Sequence, residues 1–245
     1  MRAPDIEIGW LSNRLQDNAT LTFAEIEAVR SLSYTVRAFE PGQYLLREGD
    51  RPKHCSFLVS GFVYRHKIVG NGGRQIVAVH LPRDFVDLQQ GLLSQADHNI
   101  QALTGGSVLT VQADELIAQS RRHSGLAIVL FHQMLIEASI AREWLANTNR
   151  RDARARTAHM LCELAVRSES AGLGPRETFE LPMAQEQLGD SLGLTAVHVN
   201  RTLKSLAGDG LIARDKRSVR VADWKTLCSV GDFTTGYLHL NDRLS

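Results

Sequence analysis

Cysteine is scarce in this 245-residue chain. The three present, Cys55, Cys162 and Cys228, are far apart and odd in number. That spacing offers no disulfide framework and no Cys-x-x-Cys metal or redox motif. Long hydrophobic runs are missing too: none approaches the roughly 18 apolar residues that span a bilayer, so no membrane partner is expected. The first ten residues, MRAPDIEIGW, carry acids where a secretory signal is basic and then apolar. A cytoplasmic location is the expectation. No paired carboxylates, nucleophile–histidine set or phosphate-cradling glycine loop stands out, so no catalytic residue is assigned. Residues 36–112 hold no His-x-His or His-x-x-x-Glu pair, so no metal site is assigned either. Nor is there a large excess of either charge, the net value being +1. What basic excess exists is local. Residues 1–149 hold 14 Lys/Arg against 15 Asp/Glu, whereas residues 150–222 hold 12 against 9. A phosphate-contacting domain needs its positive charge in such a place, although a +3 excess is also common on solvated surfaces.

The chain is long enough for two domains, each with its own core. Residues 20–32 read as a short amphipathic helix with Thr22 and Glu25 at capping-box spacing. From about 36 to 112, short β-type runs alternate with glycine-containing turns, the texture of a β-barrel or jelly-roll. From 113 the pattern is helical. Residues 124–149 form a long stretch without proline. Leu126, Leu130, Met134, Ala138, Ala141, Leu145 and Thr148 follow a three/four spacing there, which suits packing on the β-domain, or on that domain and a partner helix together. Arg150, Arg151, Arg154 and Arg156 mark a boundary. Residues 168–178 are a polar, Gly/Pro-containing loop. LIAR, a DKRS turn and VRVA read as a β-hairpin. Residues 223–245 carry no clear function.

Residues 184–206, AQEQLGDSLGLTAVHVNRTLKSL, read as a helix-turn-helix. Leu188 and Leu192 make one apolar stripe. Gly189 is small where two crossing helices approach, Gly193 accepts the positive φ of a bend, and Thr195 is a good N-cap. A plain helical hairpin in a core explains the leucines equally well; the outward face separates the two readings. At about 100° per residue, Leu203 and Leu206 fall within about 40° of Val199. Val197, Arg201 and Lys204 then fall on the opposite side, flanked by Asn200 and His198. Arginine reads guanine bidentately, asparagine pairs with adenine, valine meets a thymine methyl, and lysine serves phosphates as a point charge. Arg214, Lys216, Arg217 and Arg220 of the hairpin suit a wing along the DNA backbone.

With these residues in view, the chain resembles the CRP/FNR family of bacterial transcription regulators over nearly its whole length. PGQYLLREGD (41–50), the Ser60–Gly61 turn and RQIVAVHLPRDFVDL (74–88) are similar to its cyclic-nucleotide-binding-like domain. LPMAQEQLGDSLGLTAVHVNRTLKSLAGDGLI (181–212) is very like its winged helix. The resemblance implies an α+β architecture: an N-terminal β-roll or jelly-roll barrel of cyclic-nucleotide-binding type over 1–123, a dimerisation helix over 124–149, and a winged helix-turn-helix over 150–245. It implies a homodimer on double-stranded DNA, with RNA polymerase as a further partner for an activator. By position, the family's base contacts fall on Ala196, Val197, Asn200 and Arg201, with Thr195, His198 and Lys204 alongside. Val197 stands where the family often has a cytosine-reading Glu, which implies a different half-site. Ala184 stands where relatives often have an N-capping Thr or Ser.

The resemblance leaves the signal open. A cyclic-AMP pocket uses a Glu for the ribose and an Arg for the phosphate. In DFVDLQQGLLSQADHNIQAL (84–103), Asp87 and Leu88 replace Gly-Glu, and no Arg or Lys occurs. A buried phosphate there lacks a local counter-charge, so no cyclic-AMP response is expected. An FNR-type iron–sulfur cluster needs four ligands such as thiolates, and no cysteine precedes Cys55. Haem on His54, His66, His80 or His98 is a weaker reading than ordinary roles for those residues; no cofactor is assigned. Lys53 and His54 beside Cys55 could lower its pKa and make it redox-active. The rival functions are a metal-dependent cupin-type enzyme and a ligand-binding scaffold that never touches DNA.

Overall fold

The computed structural model describes residues 4–16, 21–70 and 72–240. These form two compact units, one holding the described residues up to 66, 79–138 and 239–240, the other those of 67–78 and 139–238.

Seven strands build the N-terminal β-roll: β1 (Tyr34–Phe39), β2 (Tyr44–Leu46), β3 (His54–Ser60), β4 (Val63–Ile68), β5 (Arg74–His80), β6 (Asn99–Ala102) and β7 (Gly106–Gln112). They form two sheets, ordered β1-β7-β3 and β2-β6-β4-β5. The first sheet is antiparallel, with Tyr34 opposite Val111 and Cys55 opposite the same residue on the other side. Both of its faces are covered. Side chains alternate along a strand, so Leu58 and Val108 join Phe39, Val63 and Ile100 in one core. Phe57, Leu109 and Val111 point the other way, into a core closed by helices. Those helices are α1 (Pro4–Gln16), α2 (Phe23–Arg30), α3 (Ala113–Arg122) and the first half of α4 (Ser124–Arg150). Helix α1 adds to the elements expected from sequence. It places Ile8, Leu11 and Leu15, three and four apart, on the buried side. The capping box of α2 is present: Glu25 N donates to Thr22 Oγ1, and Thr22 N to Glu25 Oε2.

Helix α4 begins at the residue expected but carries two apolar stripes, not one. Leu126, Val129 and Leu130 are buried in the β-roll core. Ile128, Phe131 and Leu135 are exposed on another face, and Leu145 is exposed further along. By length and composition alone α4 is apolar enough to cross a membrane, which corrects the expectation that no segment qualifies. The expectation counted uninterrupted apolar runs. His132, Gln133 and Glu137 break the run without making the whole segment polar.

The second unit is a winged helix-turn-helix. Its elements are α5 (Ala153–Ser170), β8 (Thr178–Glu180), α6 (Gln185–Leu192), α7 (Ala196–Gly208), β9 (Ile212–Asp215), β10 (Ser218–Val221) and α8 (Trp224–Gly231). The strands form an antiparallel sheet, β8-β10-β9. Helix α5 is the central one: Ala158, Leu161, Cys162 and Ala165 are fully buried. Asp152 caps it by accepting from Ala155 N at 2.8 Å. The tail beyond 223, mute in sequence, supplies α8 and a short 3-10 turn over Gly236–Leu238, whose Leu238 is buried.

Candidate nucleic-acid interface

Three local features set the angle between α6 and α7. Gly193 ends α6 at φ 65°, in the left-handed region where a Cβ is strained. A Cβ on Gly189 would lie 2.4 Å from Leu194 O, so only glycine lets the turn fold back onto α6. Thr195 caps α7 by accepting from His198 N at 3.2 Å. The apolar faces then meet: Leu188 and Leu192 of α6 are buried, as are Val199, Leu203 and Leu206 of α7.

That burial fixes the face α7 turns to solvent. Val197 is 80% exposed. Thr195, Ala196, His198, Arg201 and Lys204 are exposed with it. Asn200 is half-buried and donates to Gln185 Oε1 at 3.1 Å, so one amide hydrogen is already committed. The hairpin after α7 holds Arg214, Lys216, Arg217 and Arg220 exposed, with Lys216 at φ 52° in the tight turn.

The arginine cluster before this motif has work of its own. Arg154 donates to Ser205 Oγ and Asp209 Oδ2, both at 2.6 Å, and so holds the C-terminal end of α7. Arg156 donates to Leu192 O at 3.0 Å and covers the open carbonyl end of α6. Arg151 donates to Glu143 Oε1 at 2.7 Å and Asp232 Oδ2 at 3.0 Å. These supports were not visible in sequence, where the cluster reads only as a basic boundary.

At the start of α6 the expected loss is seen. Gln187 Oε1 accepts from Ala184 N at 2.8 Å, but alanine has no oxygen to return the bond. Ala184→Ser is therefore expected to stabilise the protein by about 1 kcal/mol and to raise its melting midpoint by about 2–4 °C. A thermal scan showing no gain would mean that Gln187 alone satisfies this end.

A Crp-like helix-turn-helix domain model matches residues 155–230, and a cyclic nucleotide-binding domain model matches residues 36–123. The transcriptional activator protein FnrL of Cereibacter sphaeroides is 32% identical over 222 residues, covering 87% of each chain. The chain belongs to the CRP/FNR family. It is a DNA-binding transcription regulator. The nitrogen fixation regulation protein FixK of Rhizobium meliloti is 27% identical over 196 residues, 80% of this chain and 86% of the relative. Among solved structures, FixK2 from Bradyrhizobium japonicum superposes with a TM-score of 0.75 at 25% identity, covering 81% of this chain and 98% of the other.

In this CRP/FNR regulator the segment matching the family's nucleotide cassette is internally satisfied. Asp87 is buried and accepts from both the backbone N–H and the hydroxyl of Ser56. Burial pushes its carboxyl up to about 6, against the pull of the Ser56 bonds and of Arg65. Arg65, from β4, corrects the expectation of a site without a cation. Sheet pairing brings it in from outside the 84–103 window. Its guanidinium is already engaged, by Glu137 of α4 and by Val86 O. Cys55 is also corrected. It is buried against Leu88 O, and burial together with Asp87 pushes its thiol up to about 12. Lys53 and His54 do not offset that. His66 lies between the Tyr44 and Tyr64 rings, and His98 bonds Asp97 Oδ1 at 2.7 Å. Among the described residues no group of three His, Cys, Asp or Glu could hold a metal ion.

The family's DNA-binding unit here has a buried polar network. Glu163 is 1% exposed. Its carboxylate accepts from Trp144 Nε1 at 3.0 Å, Tyr237 Oη at 2.8 Å and Arg167 Nη1 at 3.1 Å. His159 lies against Gly231 O and Tyr237 Oη, both at 3.0 Å. Burial, then Arg151, holds its pKa below the ordinary value, against the pull of Glu163 and Glu143. The unfolded chain thus binds a proton more readily than the folded one, and stability falls as pH drops below about 6.5. Asp87 acts with the opposite sign: its raised pKa favours the folded state as pH falls through about 6. A melting series from pH 7.5 downward on wild type and His159→Gln separates the two. The variant is expected to lose less of its own stability on acidification. Parallel curves would show that His159 does not titrate differently in the two states.

Proposed function

We propose that this regulator acts as a homodimer on a pseudo-palindromic DNA site, with one α7 in each of two major grooves. The outward face of α7 carries this reading: Val197, Arg201 and Lys204 stand exposed opposite the buried Val199, Leu203 and Leu206. On it, Ala196, Val197, Asn200 and Arg201 meet base edges, while Thr195, His198 and Lys204 serve the backbone. The hairpin arginines follow the flanking phosphates as a wing. Two such helices sit about 34–36 Å apart, one turn of DNA.

The exposed stripe of α4 supports dimerisation. Ile128, Phe131, Leu135, Ala138, Arg142 and Leu145 are all exposed and alternate three and four residues apart, the spacing of a coiled-coil seam. The chain then divides by role into a sensor over 1–123, a dimerisation helix over 124–149 and a DNA-binding domain over 150–245. Its place of action is the cytoplasm. RNA polymerase is the further partner, a role supported by the relatives named transcriptional activators.

The sensor does not answer to cyclic AMP. Arg65, the cation that acts on Asp87, is tied to Glu137 and Val86 O, and a cyclic phosphate beside buried Asp87 would set charge against charge. Calorimetry showing micromolar binding of cyclic AMP or cyclic GMP would overturn this. The function as a whole is tested by genome-wide footprinting followed by gel shifts at stated salt. Paired half-sites one turn apart are expected. A protein that showed no sequence preference in either assay would not be the regulator proposed.

A further inference from the structure

Two of the three cysteines meet. Cys162 on α5 and Cys228 on α8 are 66 residues apart in sequence, yet their sulfurs lie 3.8 Å apart. The neighbouring rung of the same helix–helix contact is tighter. A Cβ on Gly231 would lie 2.7 Å from His159 N, so the two backbones touch there. His159 pairs with Gly231 and Cys162 with Cys228, so α5 and α8 run antiparallel in steps of three residues. The contact holds the sulfurs face to face. A disulfide of about 2.05 Å needs an approach of roughly 1.8 Å, within reach of side-chain rotation and a small helix shift.

The two thiols differ in access. Cys162 is fully buried, whereas Cys228 is half-buried and reachable from solvent. Burial raises both thiols above the ordinary value, but at Cys228 the positive charge of Arg176 and the contact with Cys162 work the other way. Cys55 sits in the other compact unit, buried, with no such neighbour.

We propose that Cys162 and Cys228 are a redox-active pair, a modification site that closes to an intrachain disulfide when a peroxide attacks. The Cys228 thiolate attacks one peroxide oxygen. An S–O bond forms, the O–O bond breaks, and hydroxide leaves (an alkoxide in the case of an organic hydroperoxide), which takes up the proton the Cys228 thiol released and departs as water or alcohol. The Cys162 sulfur then attacks the Cys228 sulfenic acid. The S–S bond forms, the S–O bond breaks, and the hydroxyl leaves as water with the Cys162 proton. Two thiols are oxidised and one peroxide is reduced. The crosslink joins α5 to α8 and encloses β8, α6, α7, β9 and β10, the whole helix-turn-helix and its wing. It therefore stabilises the folded DNA-binding unit by restricting the unfolded chain.

The full-length protein, reduced and desalted, is mixed with hydrogen peroxide, alkylated in denaturant and digested without reductant. Peptide mass spectrometry is expected to find the Cys162 and Cys228 peptides joined, with Cys55 alkylated. Thermal melting of the oxidised protein is expected to rise by about 5 °C or more and to revert with dithiothreitol. In Cys162→Ala the Cys228 sulfenic acid lacks its partner and is expected to be trapped by dimedone. In Cys228→Ser, Cys162 is expected to stay alkylatable. The proposal is overturned if wild type keeps all three thiols, if Cys55 is the residue consumed, if the crosslink joins two chains, or if Cys228 is oxidised while Cys162 remains free.

Discussion

Leu135→Glu is expected to leave a folded monomer with little affinity for a full DNA site. Leu135 is 49% exposed in the single chain, so glutamate is tolerated there before association. In the proposed dimer it is buried among the apolar residues of the seam, where the carboxylate must lose its water; Arg142 lies about two helical turns further along. Sedimentation should shift from dimer to monomer at micromolar concentration, while circular dichroism and the melting midpoint stay near wild type. Affinity for the paired site should fall by about 10²–10⁴, because the second half-site is no longer held at high local concentration. Binding to one half-site should change little. An unaltered dimer would show that α4 pairs through another face, or not at all.

Arg201→Ala is expected to cost about 1–3 kcal/mol of DNA-binding free energy and to relax the sequence preference at one base position. The loss is selective because a guanidinium meets the two acceptors of guanine as a fork, which no other base presents in the same way. Lys204→Ala is the contrasting variant. It should weaken all sequences alike and reduce the slope of log affinity against log salt by about one. Gel shifts over a randomised half-site at two salt concentrations measure both. If Arg201→Ala left the base preference untouched, α7 would be rotated in the groove relative to the orientation its burial implies.

In the sensor Ser56 bonds Asp87 and Arg65 bonds Glu137, the charges of Arg65 and Glu137 both act on Asp87, and Glu137 belongs to α4, the same helix that carries the proposed dimer seam. The polar network around Glu163 gives the C-terminal tail a structural role: Tyr237 and the Gly231 carbonyl close the site that holds His159.

The helix-turn-helix was legible because every constraint on it is local. Gly189, Gly193 and Thr195 act within a few residues of themselves, and the two faces of α7 follow from a period of 3.6 residues. The capping box at Thr22 and Glu25 was legible for the same reason. Helix α4 was only half legible. Its length and start follow from composition, but two apolar stripes overlap on it, and a single three/four spacing runs across both. Which leucine meets the β-roll depends on how the helix is laid on the sheet.

By itself, then, the sequence determined the helices from α2 to α7, the caps at Thr22 and Thr195, the turn of the helix-turn-helix and the basic outward face of α7, since each rests on interactions between near neighbours, whereas α1 and α8 were not read from it. Only the tertiary structure decided what distant residues do to one another. It brought Arg65 beside Asp87 across the sheet, tied Arg154 and Arg156 to the ends of α7 and α6, and set Cys228 against Cys162. Periodicity says which face of an element is apolar. Packing alone says which other face it meets, because that choice depends on the shape and burial of the whole unit.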